Sequence, residues 1–431
     1  MRLALVNASL FGVDGDTVVI SGSNVEVVGY ESSLTSALVG ARRVDLCGRT
    51  LLPGLHDSHT HIPNGGRDAV DLSGITSVES LRERIRTAAS GKDGWLVGRG
   101  WDENSFKDRK PPTRWDIDEV TSGRPTILIR VCGHVALLNT AALKRFLEEY
   151  GEEGRRYLVM EGDKPTGLVV EDGVSLALRL APPPTREEAQ RVIQRYLRSY
   201  LRFGVTYLNV MSVGLKQLEW LEEALRRFPY VRVATYVTPE AASALTDWEG
   251  RVKVCGVKDF ADGSFGGRTA FLREPYVSGG VGIDLLSEEA MRRYAQLAGR
   301  RGWQVAIHAI GDAAILKVLD LSVKVGLPGN MLRIEHASLT PPDIVERLRE
   351  VSPHVVVQPH FLVSDWWLPE VLGEDRVRWV YAFNSMVKEG LKLYGSSDHP
   401  VEPLNPFLSV SAAVTRGMLQ KHTHSEALSK D

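Results

Sequence analysis

Apolar residues fall along this chain in two rhythms. At 3–6, 17–20, 25–28 and 44–46 they form short runs, the second preceded by Asp14-Gly15. Such runs between turn residues predict a small β unit. From Leu51 onward, apolar strands alternate with amphipathic helices, the pattern of βα units around a parallel sheet. The clearest helix starts near Arg186. Thr185 and Glu188 form a capping box, and Ala189, Val192, Ile193, Tyr196, Leu197, Tyr200 and Leu201 recur along one face. Strands are predicted at 206–211, 231–237, 252–257, 303–309, 332–336, 354–359 and 393–397, with helices such as 287–298 and 342–350 between them. With the strand at Leu51 they number about eight, enough to close a (β/α)8 barrel. An open doubly wound sheet is the competing architecture.

The stretch from Trp101 to Pro184 breaks the alternation. It is rich in Pro, Asp and Glu, ends in Pro182-Pro183-Pro184, and is expected to fold over the barrel mouth. The expected division is therefore a small β domain at 1–50, a TIM barrel at 51–100 and 185–418, an insertion at 101–184 and a polar tail at 419–431.

A length of 431 residues suits a large barrel with an extra domain. A net charge of -2 provides no field for nucleic acid or anionic membrane, so a small neutral molecule is the expected substrate and partner. Three scattered cysteines form neither a metal motif nor a disulfide framework. With no signal-like start and no long apolar run, a cytoplasmic location is expected. Two tempting motifs can be dismissed. Gly263-Ser-Phe-Gly-Gly267 lacks the Lys-Ser/Thr of a phosphate loop, and the stretch from Gly395 to His399 lacks the second Gly of a nucleophile elbow.

Candidate chemistry begins at Pro53-Gly-Leu-His-Asp-Ser-His59-Thr-His61. Two histidines two apart on an extended strand point to one side and can share a metal. Spacing alone is weak, since 11 histidines give about 0.3 such pairs by chance, and His422 with His424 reads as a decoy. Barrel enzymes carry their chemistry at the C-terminal ends of strands. Here successive apolar runs end in His308, His336 and Asp398. Four imidazoles and a carboxylate at one mouth suit a borderline metal such as zinc.

With these residues in place the chain resembles the amidohydrolase superfamily, and within it the type 3 or YtcJ-like group. The resemblance runs from about Arg49 to Arg416. Beyond the first His pair it rests on Gly98-Arg-Gly-Trp101-Asp102, Gly133-His134, Gly167-Leu-Val-Val-Glu171, Val257-Lys258 to Asp262, His308-Ala-Ile-Gly-Asp312, Glu335-His336-Ala337 and Gly395-Ser-Ser-Asp398. It implies a (β/α)8 hydrolase with one or two divalent metals per chain. It further implies His59 and His61 as ligands of the more buried metal, His308 and His336 as ligands of the second, and Lys258 as a carbamylated bridge. Glu171 is the rival anionic ligand. His134, His360, Trp101 and Asp262 are candidates for the substrate.

The implied reaction is hydrolysis of an amide-type C–N bond, with Asp398 carrying the proton to the departing nitrogen. No Glu follows His308 closely, which argues against nucleobase deamination. Phosphoester hydrolysis on the same scaffold, or a non-catalytic scaffold, are the alternatives. Members of the resembled group continue with further strands that complete a β-sandwich. The strands in 3–46 are therefore expected to leave an edge or apolar face for association with another chain, such as a second copy.

Overall fold

The computed structural model describes residues 2–67, 69–89 and 94–429. Two compact units divide it, Met1–Leu55 and His56–Asp431. In the first, four strands lie in the order Asn24–Gly29, Thr17–Ser21, Arg2–Val6, Arg42–Asp45. The first three are antiparallel, and the last pairs parallel to its neighbour. Ala4, Val6, Val19 and Leu38 make its small core. The outer strand Asn24–Gly29 pairs along one edge and leaves Val25 61% exposed.

The second unit is built on eight parallel strands, and it is a (β/α)8 barrel. In order these are Leu55–Thr60, Val205–Val213, Arg232–Val237, Lys253–Phe260, Gln304–Ala309, Leu332–His336, His354–Val357 and Leu393–Gly395. The backbone beyond the eighth strand closes onto the first. Asp398 N–H donates to the His59 carbonyl and His61 N–H to the His399 carbonyl, both at 2.8 Å. The doubly wound alternative is set aside by this sheet.

The helix Arg186–Arg202 starts where its cap sequence places it, with the Thr185 hydroxyl accepting from Glu188 N–H at 3.1 Å. Its apolar face buries Ala189, Val192, Ile193, Tyr196, Leu197 and Tyr200. The last two tyrosines bring hydroxyls to the barrel seam. Tyr200 reaches both the Thr60 hydroxyl (2.6 Å) and the Ser397 hydroxyl (3.0 Å).

A second sheet corrects the expected boundary at residue 100. Six strands lie in the order Leu158–Glu161, Lys164–Val170, Val135–Leu138, Thr126–Arg130, Leu96–Trp101, Val70–Asp71. The strands Val70–Asp71 and Leu96–Trp101 and the helix Val78–Ala89, expected in the barrel, thus belong with the insertion. Apolar clusters cover both faces of this sheet. Leu96 and Leu128 face one, Val97, Ile127 and Ile129 the other, so its central strands read as continuous apolar runs like those of a barrel.

Trp101 closes one of these cores. It is fully buried, and its indole N–H donates to the Leu128 carbonyl at 2.8 Å. That placement removes it from the substrate candidates. The expected polar tail is corrected as well. Leu419, Thr423 and Glu426 are buried, and Glu426 accepts hydrogen bonds from the backbone and hydroxyl of Ser385. No helix among the described residues is long and apolar enough to cross a membrane.

The core position of Trp101 has a measurable consequence. Trp101→Phe removes the indole hydrogen bond to the Leu128 carbonyl and leaves a small void, so stability should fall by about 1–3 kcal/mol. Denaturant midpoints should show this, while bound metal stays within error of wild type.

Candidate functional site

The barrel seam decides where the histidines stand. Asp57, buried beside His59, accepts from the backbone N–H (3.1 Å) and hydroxyl (2.5 Å) of Ser397. These bonds stitch the first strand to the segment that carries Asp398. As a result three side-chain atoms meet. His59 Nε2 lies 3.2 Å from His61 Nε2, and Asp398 Oδ1 lies 3.3 Å from the first and 3.1 Å from the second.

These spacings test the fit to a metal ion. Ligand atoms held about 2.0–2.1 Å from one ion stand between roughly 2.8 Å (octahedral) and roughly 3.4 Å (tetrahedral) apart. The three observed separations fall in that window. Three buried atoms near this point also lack a hydrogen-bond partner: Asp398 Oδ1, His336 Nδ1 and Glu171 Oε1. An orphaned carboxylate oxygen beside two imidazole nitrogens is what a cation would satisfy. Among the described residues these three side chains are the one cluster of three or more ligand types within 4.8 Å.

The charge behind His59 fixes its tautomer. His59 Nδ1–H donates to Glu335 Oε2 (2.6 Å), and Glu335 Oε1 accepts from Arg333 Nε (2.8 Å). Burial alone would push the Glu335 carboxyl up, but Arg333 and His59 outweigh it and hold it below the usual range. An ionised Glu335 accepts only. The Nδ1 proton is therefore fixed and the Nε2 lone pair is turned toward His61 and Asp398, the arrangement that orients metal-binding histidines.

Four more sequence candidates stand nearby. His336, at the end of the sixth strand, has its ring 5.1 Å from that of His59 and 4.4 Å from that of His308. Burial lowers the His336 pKa to about 3 and the His308 pKa well below its ordinary value, so both present neutral rings. His308 Nε2–H donates to the Gly263 carbonyl (2.9 Å), which leaves Nδ1 as its acceptor. His336 and Asp398 sit at φ 77° and 58°, and Glu171 at φ 50°. Such left-handed conformations in non-glycine residues cost energy and concentrate at functional sites.

Lys258 is 1% exposed, unlike Lys253 at the exposed start of the same strand. Burial lowers its pKa to about 8. Its Nζ donates to the Asp259 carbonyl at 3.2 Å and lies 3.6 Å from the centre of the Phe260 ring. Its charge reaches His61, His308 and His336. Glu171 lines the same cavity as Lys258. It accepts from His134 Nδ1–H at 2.8 Å, and burial, which would lower the His134 pKa, is overcome by Glu171, so that ring rises to about 9.

Two substrate candidates are corrected here. Asp262 is fully buried, and its oxygens are occupied by the N–H groups of Phe271 (2.9 Å), Ile310 (3.0 Å) and Gly311 (2.7 Å). It braces the turn after the fifth strand. His360 pairs through Nδ1 with Glu402, which also takes the Ser364 hydroxyl. Its ring does not line the cavity.

The cavity itself opens over the cluster of His59, His61 and Asp398. Its main lobe holds about 480 Å³ and is lined by His59, His61, His134, Lys258, His336 and Asp398, with walls from the second sheet. A smaller lobe of about 100 Å³ shares His134, His308, His336 and Asp398 and is closed by Phe361, Trp367 and Tyr381. Sequence reasoning overlooked the seam residues Asp57 and Ser397, the Arg333–Glu335 pair, and Arg99 in the main lobe. Glu335 and Arg99 both lay inside quoted motifs, but the His59 that Glu335 orients is distant in sequence, and a motif does not show which cavity Arg99 lines.

Comparisons with known proteins agree with this geometry. The family model described as the amidohydrolase family matches residues 42–429. YtcJ of Bacillus subtilis, which bears an amidohydrolase name, is 31% identical over 412 residues, covering 89% of this chain and 76% of that one. An N-substituted formamide deformylase of Arthrobacter pascens is 24% identical over 460 residues, covering 96% and 83%. The crystal structure of an uncharacterised metal-dependent hydrolase of Pyrococcus horikoshii superposes with a TM-score of 0.80 at 34% identity, covering 99% of this chain and 90% of that one.

Replacing His59 and His61 together by Asn should strip bound metal from the protein, as read by elemental analysis. The same exchange at His422 and His424 should leave metal content unchanged, because His422 pairs with Glu374 on the surface. Glu335→Gln loses the charge that orients His59, and metal affinity should weaken about 10–100-fold, measured by competition with a chelator.

Proposed function

The chain belongs to the amidohydrolase family and is a metal-dependent hydrolase; from that premise we propose that it uses zinc to cleave an amide-type C–N bond in a small molecule. N-acyl compounds, formamides and cyclic amides are the substrate classes. The observation that carries the reading is the meeting of His59, His61 and Asp398 at metal-ligand spacing, with an unpartnered carboxylate oxygen facing the cavity. The N-substituted formamide deformylase among the relatives supports the amide class. A nitrogen-rich set with few oxygens favours zinc over harder cations.

When bound, a divalent cation supplies an ionised water nucleophile near neutral pH and Lewis acidity toward a carbonyl. Asp398 does the proton work. Burial would raise its pKa, but His59 and His61 hold it well below the ordinary carboxyl value, so it is ionised and free to accept. It takes the proton of the attacking water and delivers it to the nitrogen, which otherwise leaves poorly as an amide anion. His134, kept protonated by Glu171 and lining both lobes, offers positive charge to the carbonyl oxygen as it becomes an oxyanion.

Lys258 is the proposed bridge between two metals. A lysine whose pKa is lowered to about 8 is partly neutral at physiological pH, and the neutral amine is the form that adds carbon dioxide. Addition would release the amine proton and give a two-oxygen anion on a side chain whose charge reaches His61, His308 and His336. Glu171 is less suited, because one oxygen is committed to His134.

Two sets of measurements test these assignments. A screen of zinc-loaded protein against N-acyl compounds, formamides, cyclic amides, dipeptides and phosphotriesters should give turnover with an amide. Turnover of phosphotriesters alone would overturn the amide reading. On the best substrate, Asp398→Asn should lose about 10²-fold or more in kcat with the fold intact. Lys258→Ala should bind one metal where wild type binds two, and Glu171→Gln should keep both. The reverse pattern would make Glu171 the bridge.

A further inference from the structure

Five buried polar side-chain atoms that lack hydrogen-bond partners belong to residues lining the main lobe. Three of them, on Asp398, His336 and Glu171, are accounted for by the metal centre and its surroundings. The other two are Arg99 Nε and Ser212 Oγ. Neither residue is a metal ligand type. A buried guanidinium is costly unless its protons find acceptors.

Arg99 is part-buried with its Nε shut off from water, and a comparison with two buried arginines sharpens the point. Arg130 holds Asp102 and Glu103, and Arg333 holds Glu335. Arg99 has no carboxylate partner among the described residues. Its Nη2 reaches only the Val131 carbonyl, at 3.4 Å. Gly133 keeps space open beside it, since a Cβ there would stand 3.2 Å from Nη2. Burial lowers the Arg99 pKa, and Asp398 acts in the opposite direction, so guanidinium and reaction centre lie within electrostatic reach.

Ser212 lies on the second barrel strand, where the pairing register shifts between Val210 and Val213, and it adopts φ 56°. A strained residue with an unpartnered hydroxyl toward a cavity is a donor without an acceptor. Arg67, the other arginine of the lobe, is already bonded to the Pro182 carbonyl at 2.6 Å.

We propose that Arg99, assisted by Ser212, recognises a carboxylate of the substrate, so that the amide cleaved in this cavity belongs to an acid such as an N-acylated amino acid. The proposal rests on the hydrolase reading above and narrows it. A guanidinium fork matches the two oxygens of a carboxylate. The lobe is also lined by Asp172, Asp259, Glu171 and Asp398. That much negative charge suits a monoanion bound at one arginine and disfavours a phosphoryl dianion.

Matched pairs that differ only in the carboxylate test it. N-acetylleucine is paired with N-isoamylacetamide, and N-acetylphenylalanine with N-phenethylacetamide, on zinc-loaded wild type, Arg99→Met and Arg99→Lys. Wild type should prefer the acid of each pair by about 10²-fold in kcat/KM. Arg99→Met should erase the preference chiefly through KM, and Arg99→Lys should restore part of it. Equal turnover within both pairs, or an equal loss for both partners in Arg99→Met, would overturn the subsite and leave the hydrolase reading standing.

Calorimetric titration of zinc-loaded Asp398→Asn with N-acetylleucine and N-acetylphenylalanine separates the two claims. Binding that weakens tenfold or more when Arg99→Met is added supports the subsite even if no amide is hydrolysed. Binding that ignores Arg99, or no binding of either acid at millimolar concentration, counts against it.

Discussion

The closure of the barrel is the constraint on which the site depends. A metal centre needs donor atoms from distant parts of the chain held to within tenths of an ångström. Here the first strand contributes His59 and His61, and the segment after the eighth contributes Asp398. Backbone bonds between Asp398 and His59 and between His61 and His399, each 2.8 Å, set that register. Asp57, Ser397, Thr60 and the tyrosines of Arg186–Arg202 lock it from the side. The fold and the site are therefore one construction.

Electrostatics runs through the same residues. Arg333 and Glu335 are buried within the barrel, where a lone charge would cost several kcal/mol. Paired with each other, with His59 and with the Tyr236 hydroxyl, they fix the protonation of His59 from behind. In front, burial leaves His308 and His336 neutral and Lys258 close to losing its proton. Each shift favours the form that binds a cation or reacts with carbon dioxide. One physical cause, removal from water, thus prepares several groups together.

Much of this was legible in the sequence because barrel strands announce their own ends. An apolar run that stops at His308, His336 or Asp398 places the residue at the mouth, and the capping box at Thr185 and Glu188 fixed a helix start. Other features were hidden for definite reasons. The strand Leu96–Trp101 carries the apolar pattern of a barrel strand although it lies in a different sheet, since a sheet covered on both faces has no alternation to display. Trp101 and Asp262 sit in motifs that suggest chemistry, but burial and backbone bonding make them structural. Arg99 was passed over because what distinguishes it is a missing partner, which only three-dimensional structure can reveal.

The central claim is that His59, His61 and Asp398 surround a metal ion at the barrel seam. Anomalous diffraction from zinc-loaded crystals, recorded on both sides of the zinc absorption edge, tests it most directly. The account requires an anomalous peak about 2.0–2.1 Å from His59 Nε2 and His61 Nε2, beside Asp398. Zinc found only at surface sites such as His422, with none at the seam, would contradict it.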